Sequence, residues 1–221
     1  MFRIKICGIT DPGDARTAIQ AGADAVGLNF YPASPRFITP AKARQICQVL
    51  PAEIVKVGIF VNAEAKDVCQ VRNELELNLI QLHGDETPEY IARLGNRPVI
   101  RAFRMGPEGL QPVFVYLEEC RRLGCVPKLV LLDALSQGFY GGTGKTADWS
   151  VCAQYPGHEG VPPLILAGGL TESNVAQAIY QVRSAGVDTA GGVESSPGQK
   201  DPAAVIAFVQ AARNAFNYPI N

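Results

Sequence analysis

Eight short apolar runs, each followed by a stretch patterned as a helix, constrain the fold of this chain more than any other feature. The runs are rich in Val, Ile and Leu and fall at residues 3–7, 25–30, 55–61, 79–82, 98–103, 128–133, 164–167 and 186–189. Helix formers with apolar positions three or four apart occupy 15–21, 40–50, 65–76, 88–94, 109–123, 149–154 and 174–182, and an eighth helix is predicted over 202–216. Strands that regularly alternate with helices belong to a parallel sheet covered by those helices. Eight units in 221 residues leave about 27 residues each, compact beside the roughly 250 typical of a (β/α)8 barrel, so the loops must be mostly short. An open doubly wound sheet is the competing arrangement. Its dinucleotide-binding form would place Gly-x-Gly-x-x-Gly after the first strand, where this chain has Cys7-Gly8-Ile9-Thr10. Eight consecutive alternations favour closure, and the predicted fold class is α/β, a single-domain (β/α)8 TIM barrel over residues 1–221.

Composition narrows the partners. Twenty Lys and Arg against 21 Asp and Glu give a net charge of -1, with no basic footprint for nucleic acid. No run approaches the roughly 18 apolar residues of a membrane helix, and the start of the chain has no apolar signal core. A soluble cytoplasmic protein acting on a small molecule is expected. The six cysteines, at 7, 47, 69, 120, 125 and 152, contain no Cys-x-x-Cys, and with only His83 and His158 beside them they form no zinc pattern. Reduced thiols and no metal are expected.

In such a barrel the chemistry sits at the C-terminal ends of the strands. The first strand ends at Cys7, and Gly8 permits a sharp exit there; taken alone, a thiol behind Ile4 and Ile6 reads more readily as a small core residue. The second strand leads to Ser34-Pro35-Arg36, and the fourth ends in Gln81-Leu82-His83-Gly84. The sixth, Leu129-Val130-Leu131-Leu132, ends in Asp133 before a glycine-rich loop. An acid in that place is poorly explained by solvation or by capping. Glycines then cluster after the last three strands: Gly141-Gly142-Thr143-Gly144, Gly168-Gly169 and Gly191-Gly192. Such loops let backbone N–H groups close on an anion, and barrels often bind phosphate there. Gly144-Lys145-Thr146 imitates the end of a P-loop, but that motif needs glycine at position 139, which is Phe139.

These residues together resemble the phosphoribosylanthranilate isomerase family, barrel enzymes of tryptophan biosynthesis. The motifs that carry the likeness are Lys5-Ile6-Cys7-Gly8-Ile9-Thr10, Gly22-Ala23-Asp24-Ala25-Val26-Gly27, Ser34-Pro35-Arg36, Gln81-Leu82-His83-Gly84, Leu132-Asp133 with Gly142-Thr143-Gly144, and Leu166-Ala167-Gly168-Gly169-Leu170. The resemblance implies an Amadori rearrangement of N-(5-phosphoribosyl)anthranilate without cofactor or metal. It assigns Cys7 as general base, Asp133 as general acid, and Arg36 to the anthranilate carboxylate. The ribose phosphate falls to the glycine loops, through Gly142, Gly144, Gly168, Gly169, Gly191 and Gly192. His83 and Asp188 join the substrate-binding set without an assigned role. A monomer is the default state and a homodimer is open. For those roles the site must lower the thiol from about 8.5 and raise the carboxyl from about 3.9. A related isomerase serving both histidine and tryptophan synthesis carries aspartate at the first strand tip, which Cys7 argues against. A non-catalytic phosphate-binding barrel is disfavoured by Cys7, Asp133 and Arg36 occurring together.

One segment departs from the family pattern. Members usually carry Ser-Ser-Gly-Val-Glu after the eighth strand, where this chain has Ala190-Gly191-Gly192-Val193-Glu194. Each hydroxyl bond to a charged phosphate is worth about 1–3 kcal/mol. Ala190→Ser with Gly191→Ser is therefore expected to lower KM in steady-state assays. An unchanged KM would mean that serine hydroxyls add nothing to phosphate binding here.

Overall fold

A computed structural model describes residues 1–134, 149–155, 158 and 160–217. Its elements follow in strict alternation: β1 Ile4–Cys7, α1 Pro12–Ala21, β2 Ala25–Asn29, α2 Pro40–Cys47, β3 Val55–Phe60, α3 Ala65–Glu74, β4 Leu79–Leu82 and α4 Pro88–Arg93. The second half continues with β5 Val99–Met105, α5 Gln111–Arg122, β6 Leu129–Ala134, α6 Trp149–Cys152, β7 Leu164–Leu166, α7 Val175–Val182 and β8 Gly186–Thr189. A short antiparallel pair, β9 Glu194–Ser196 and β10 Gln199–Lys200, precedes the last helix, α8 Pro202–Asn217.

The first eight strands pair in chain order and close into a barrel. Closure is made by β1, where Lys5 lies beside Ala25 of β2 on one side and Asp188 of β8 on the other. Successive strand residues point to opposite faces, and in a closed parallel sheet both faces are buried. Ile4, Ile6, Val26, Leu28, Val130 and Leu132 accordingly join the layer between strands and helices. Ala25, Val57, Leu79, Ile100, Leu131 and Ile165 form a second cluster inside the barrel. On β1 that alternation puts Lys5 and Cys7 on the inner face, with Lys5 wholly buried.

Helix starts are set by short polar residues followed by proline. Asp11 accepts hydrogen bonds from the N–H groups of Gly13 and Asp14, and Pro12 opens α1 three residues before the periodic pattern at 15–21 begins. Thr39 with Pro40 and Asp201 with Pro202 begin α2 and α8 in the same way. Other boundaries also differ from the pattern: α2 stops at Cys47 rather than 50, β5 runs on to Met105, and the β9–β10 hairpin is additional. Among the described residues, no helix is long and apolar enough to cross a membrane.

The interior is not wholly apolar. Lys5 Nζ donates to Asp188 Oδ1 at 2.8 Å, the two side chains being 0% and 8% exposed. Removing one partner of such a pair leaves an uncompensated buried charge and costs about 3–5 kcal/mol, whereas replacing both by apolar groups is often neutral. Urea unfolding of Lys5→Met should show a loss of about that size. Lys5→Met with Asp188→Leu should recover most of it, and an unrecovered loss would locate the stabilisation elsewhere.

Candidate active site

The C-terminal mouth of the barrel encloses a cleft of about 380 Å3. Cys7, Arg36, His83, Asp133, Gly168, Gly169, Asp188, Gly191 and Gly192 all line it, so the described residues picked out by sequence converge on one cavity. Gly142 and Gly144 lie outside the described residues.

Cys7 reaches the mouth because β1 ends there on an inward position. Across from it, a Cβ on Gly27 would come within 2.7 Å of the Cys7 Sγ, so the neighbouring strand has to carry glycine. Burial pushes the Cys7 thiol above its ordinary value. The ammonium groups of Lys5 and Lys200 pull the other way, and Asp188 adds to the rise. The lowering expected from sequence is thus absent without a ligand: desolvation outweighs the cations. Asp188 is itself raised, by burial first, with Lys5 opposing.

Asp133 ends the inward series of β6 after Leu129 and Leu131 and is buried. His83 Nε2 stands 3.3 Å from its Oδ2. The other ring nitrogen, Nδ1, is 3.2 Å from the Gln81 amide nitrogen. The Gln81 side chain thus meets one ring nitrogen, and the Asp133 carboxylate flanks the other at ion-pair distance without a hydrogen bond from Nε2. Gln81, fully buried on the next inward position of β4, thereby supports the His83 ring from below. The sequence offered His83 as a candidate without pairing it with Gln81 or Asp133.

Arg36 is placed by the loop after β2. Ser34 Oγ accepts from the Asn29 amide and from the Arg36 backbone N–H. The aliphatic stem of Arg36 crosses Gly8, whose φ of +73° and missing side chain both suit that contact. The guanidinium then gives Nε and Nη2 to the two oxygens of Glu194, at 2.7 and 2.6 Å. Lys200 Nζ donates to the same carboxylate at 2.7 Å and to the Ala190 carbonyl at 3.1 Å. Sequence reasoning missed Glu194 and Lys200, which lie in the unforeseen hairpin.

The loops after β7 and β8 lock together. Thr189 Oγ1 donates to the Leu170 carbonyl at 2.7 Å, and any side chain on Gly192 would strike that same carbonyl. Asn174 accepts from the Thr171 N–H and donates to the Gly169 carbonyl, fixing the Gly168-Gly169 turn. Among the described residues, no three His, Cys, Asp or Glu side chains cluster as metal ligands would.

A family model described as N-(5'phosphoribosyl)anthranilate (PRA) isomerase matches residues 4–211. This chain belongs to that family. The N-(5'-phosphoribosyl)anthranilate isomerase of Trichlorobacter lovleyi is 47% identical over 218 residues, covering 97% of this chain and 100% of the relative. The phosphoribosyl anthranilate isomerase structure from Thermotoga maritima superposes with a TM-score of 0.86 at 39% identity, covering 97% and 100% of the two chains. A further isomerase structure, in complex with reduced 1-(o-carboxyphenylamino)-1-deoxyribulose 5-phosphate, gives a TM-score of 0.82 at 36% identity over 97% of this chain and 100% of that one.

The raised thiol of this isomerase-family chain is open to direct measurement. Site-resolved alkylation of the unliganded protein should show Cys7 reaching half-maximal reactivity at a pH above that of free cysteine, about 8.5. Half-maximal reactivity at or below that pH would mean that Lys5 and Lys200 outweigh burial.

Proposed function

We propose that the chain converts N-(5'-phosphoribosyl)anthranilate to 1-(2-carboxyphenylamino)-1-deoxy-D-ribulose 5-phosphate in tryptophan biosynthesis, with Asp133 as general acid and Cys7 as general base. The observation that carries this reading is the shared cleft, in a chain of this family, lined by an acid from β6 and a thiol from β1. Asp133 gives its proton to the furanose ring oxygen, and the C1–O bond breaks to leave an open-chain iminium. The Cys7 thiolate removes the proton from C2, and that electron pair forms the C1–C2 double bond of an enaminol. The proton that Cys7 took from C2 is returned at C1 and the Asp133 carboxylate takes the C2 hydroxyl proton, which gives the ketone, leaves substrate and product with the same atoms and restores both groups. The scheme uses no cofactor or metal.

The remaining groups bind and orient. The Arg36 fork takes the anthranilate carboxylate, a task suited to planar paired donors. The ribose phosphate is assigned to the glycine loops after β7 and β8 and, by the family resemblance, to Gly142 and Gly144. His83 stands 3.3 Å from Oδ2 of Asp133 and flanks the general acid. Asp188 fixes Lys5 beneath the thiol. A cytoplasmic, monomeric enzyme is sufficient for this scheme.

The test follows the loss of phosphoribosylanthranilate fluorescence. Cys7→Ser and Asp133→Asn should each lower kcat by about 10²–10⁴-fold, the usual worth of a positioned acid or base, with much smaller changes in KM. Full rate in both variants, or an inactive parent protein, would end this assignment.

A further inference from the structure

We propose that Lys200 determines specificity for a ligand carboxylate: with Arg36 and Glu194 it forms a buried triad whose one surplus positive charge is offered to the ligand through Arg36. This rests on Arg36 being the carboxylate-binding group.

Arg36 spends one edge of its guanidinium, Nε with Nη2, on both oxygens of Glu194. That contact fixes the plane of the fork and leaves the end formed by Nη1 and Nη2 for a second planar anion. It also cancels the charge. A guanidinium matched by one carboxylate has no net attraction for another, and a buried neutral pair is a poor anion site. Lys200 changes the count. Its Nζ meets the same Glu194 Oε1 at 2.7 Å, with the Lys200 and Glu194 side chains 0% and 4% exposed. Two cations therefore share one anion.

Lys200 has no exposed surface with which to touch a ligand, so its effect passes through Glu194 to Arg36. The fold alone does not call for its charge. A neutral donor such as glutamine would serve both the Ala190 carbonyl and Glu194 without the several kcal/mol that burying an ammonium costs. The hairpin that carries Lys200 is tied down independently, by the Lys200 backbone N–H donating to Asp14 and by Thr10 Oγ1 donating to the Gly198 carbonyl. The ammonium is thus surplus to hydrogen bonding at a point next to the cleft, where surplus charge is what an anionic ligand needs.

A matched pair of competitive inhibitors isolates the effect: reduced 1-(o-carboxyphenylamino)-1-deoxyribulose 5-phosphate, and the same compound without its carboxyl group. The ratio of their inhibition constants reads the carboxylate contribution alone. Lys200→Gln should shrink that ratio by about tenfold, while Lys200→Arg should preserve it. Glu194→Gln combined with Lys200→Gln restores one net positive charge at Arg36, and the ratio should return close to the parent value. A merely structural lysine predicts equal losses for both inhibitors and no rescue. An unchanged ratio in K200Q, or a double variant no better than K200Q, overturns the proposal. So does a lost ratio in K200R, which decides the matter even where K200Q is too unstable to assay. Arg36→Met separates the premise: an unchanged ratio there refutes Arg36 as the carboxylate site, whatever Lys200 does.

Discussion

A lysine sealed inside a closed sheet must have a counter-charge within reach, and Lys5 finds one only because β1 and β8 are neighbours. The contact with Asp188 spans 183 positions of sequence, so it exists only once the barrel has closed. Closure, charge neutrality and placement of the thiol are therefore one event: the register that sets Lys5 beside Asp188 also sends Cys7 inward two residues later. From that pair the polar groups of the mouth extend in both directions, through Cys7 toward Lys200, Glu194 and Arg36, and toward His83 and Asp133. In a low-dielectric cavity such a series has to balance as a whole, since each unmatched charge is expensive.

The same enclosure explains the state of the thiol. Cys7 sits at the inner end of the cleft, and its desolvation disfavours a thiolate more than the two nearby ammonium groups favour it. A raised thiol is a stronger base once ionised, and each unit of the rise costs about 1.4 kcal/mol to overcome. In the proposed reaction the missing positive charge comes with the chemistry. Ring opening creates an iminium cation next to C2, the atom whose proton Cys7 removes. The base is then favoured in the intermediate, where it is needed, rather than in the resting protein, where a free thiolate would be open to oxidation.

What the sequence made legible was whatever leaves a local trace. Strand and helix alternation is periodic, and the eight runs from 3–7 to 186–189 each became a strand of the barrel. Cys7, Asp133, Arg36 and the glycines of the last loops stand at strand ends, where the rule for barrels looks first. The start of α1 was hidden because Asp11-Pro12-Gly13 reads as a loop by composition, although Asp and Pro are in the order that opens a helix. The hairpin of β9 and β10 was hidden because strands of three and two residues, built from Glu, Ser, Gln and Lys, have no hydrophobic period. That Lys5 shares the inner face with Cys7 follows only from the regularity of β1. The functional weight of Gln81, Glu194 and Lys200 comes from partners, and partners far apart in sequence leave no mark on spacing.

That hairpin ties the ends of the chain to the site. Thr10 and Asp14, at the start of the first helical unit, hold Gly198 and the backbone of Lys200, just before the last helix. Gly8 gives Arg36 room to reach Glu194 across the same junction. The seam between the first and last units is where a barrel has no covalent connection, and there the clasp meets the cleft through Arg36. If Arg36 takes the ligand carboxylate as proposed, barrel stability and carboxylate recognition meet at that one side chain and are separable by charge rather than by position: neutral replacements that keep the hydrogen bonds would disturb recognition, and replacements that remove the bonds would disturb the seam itself.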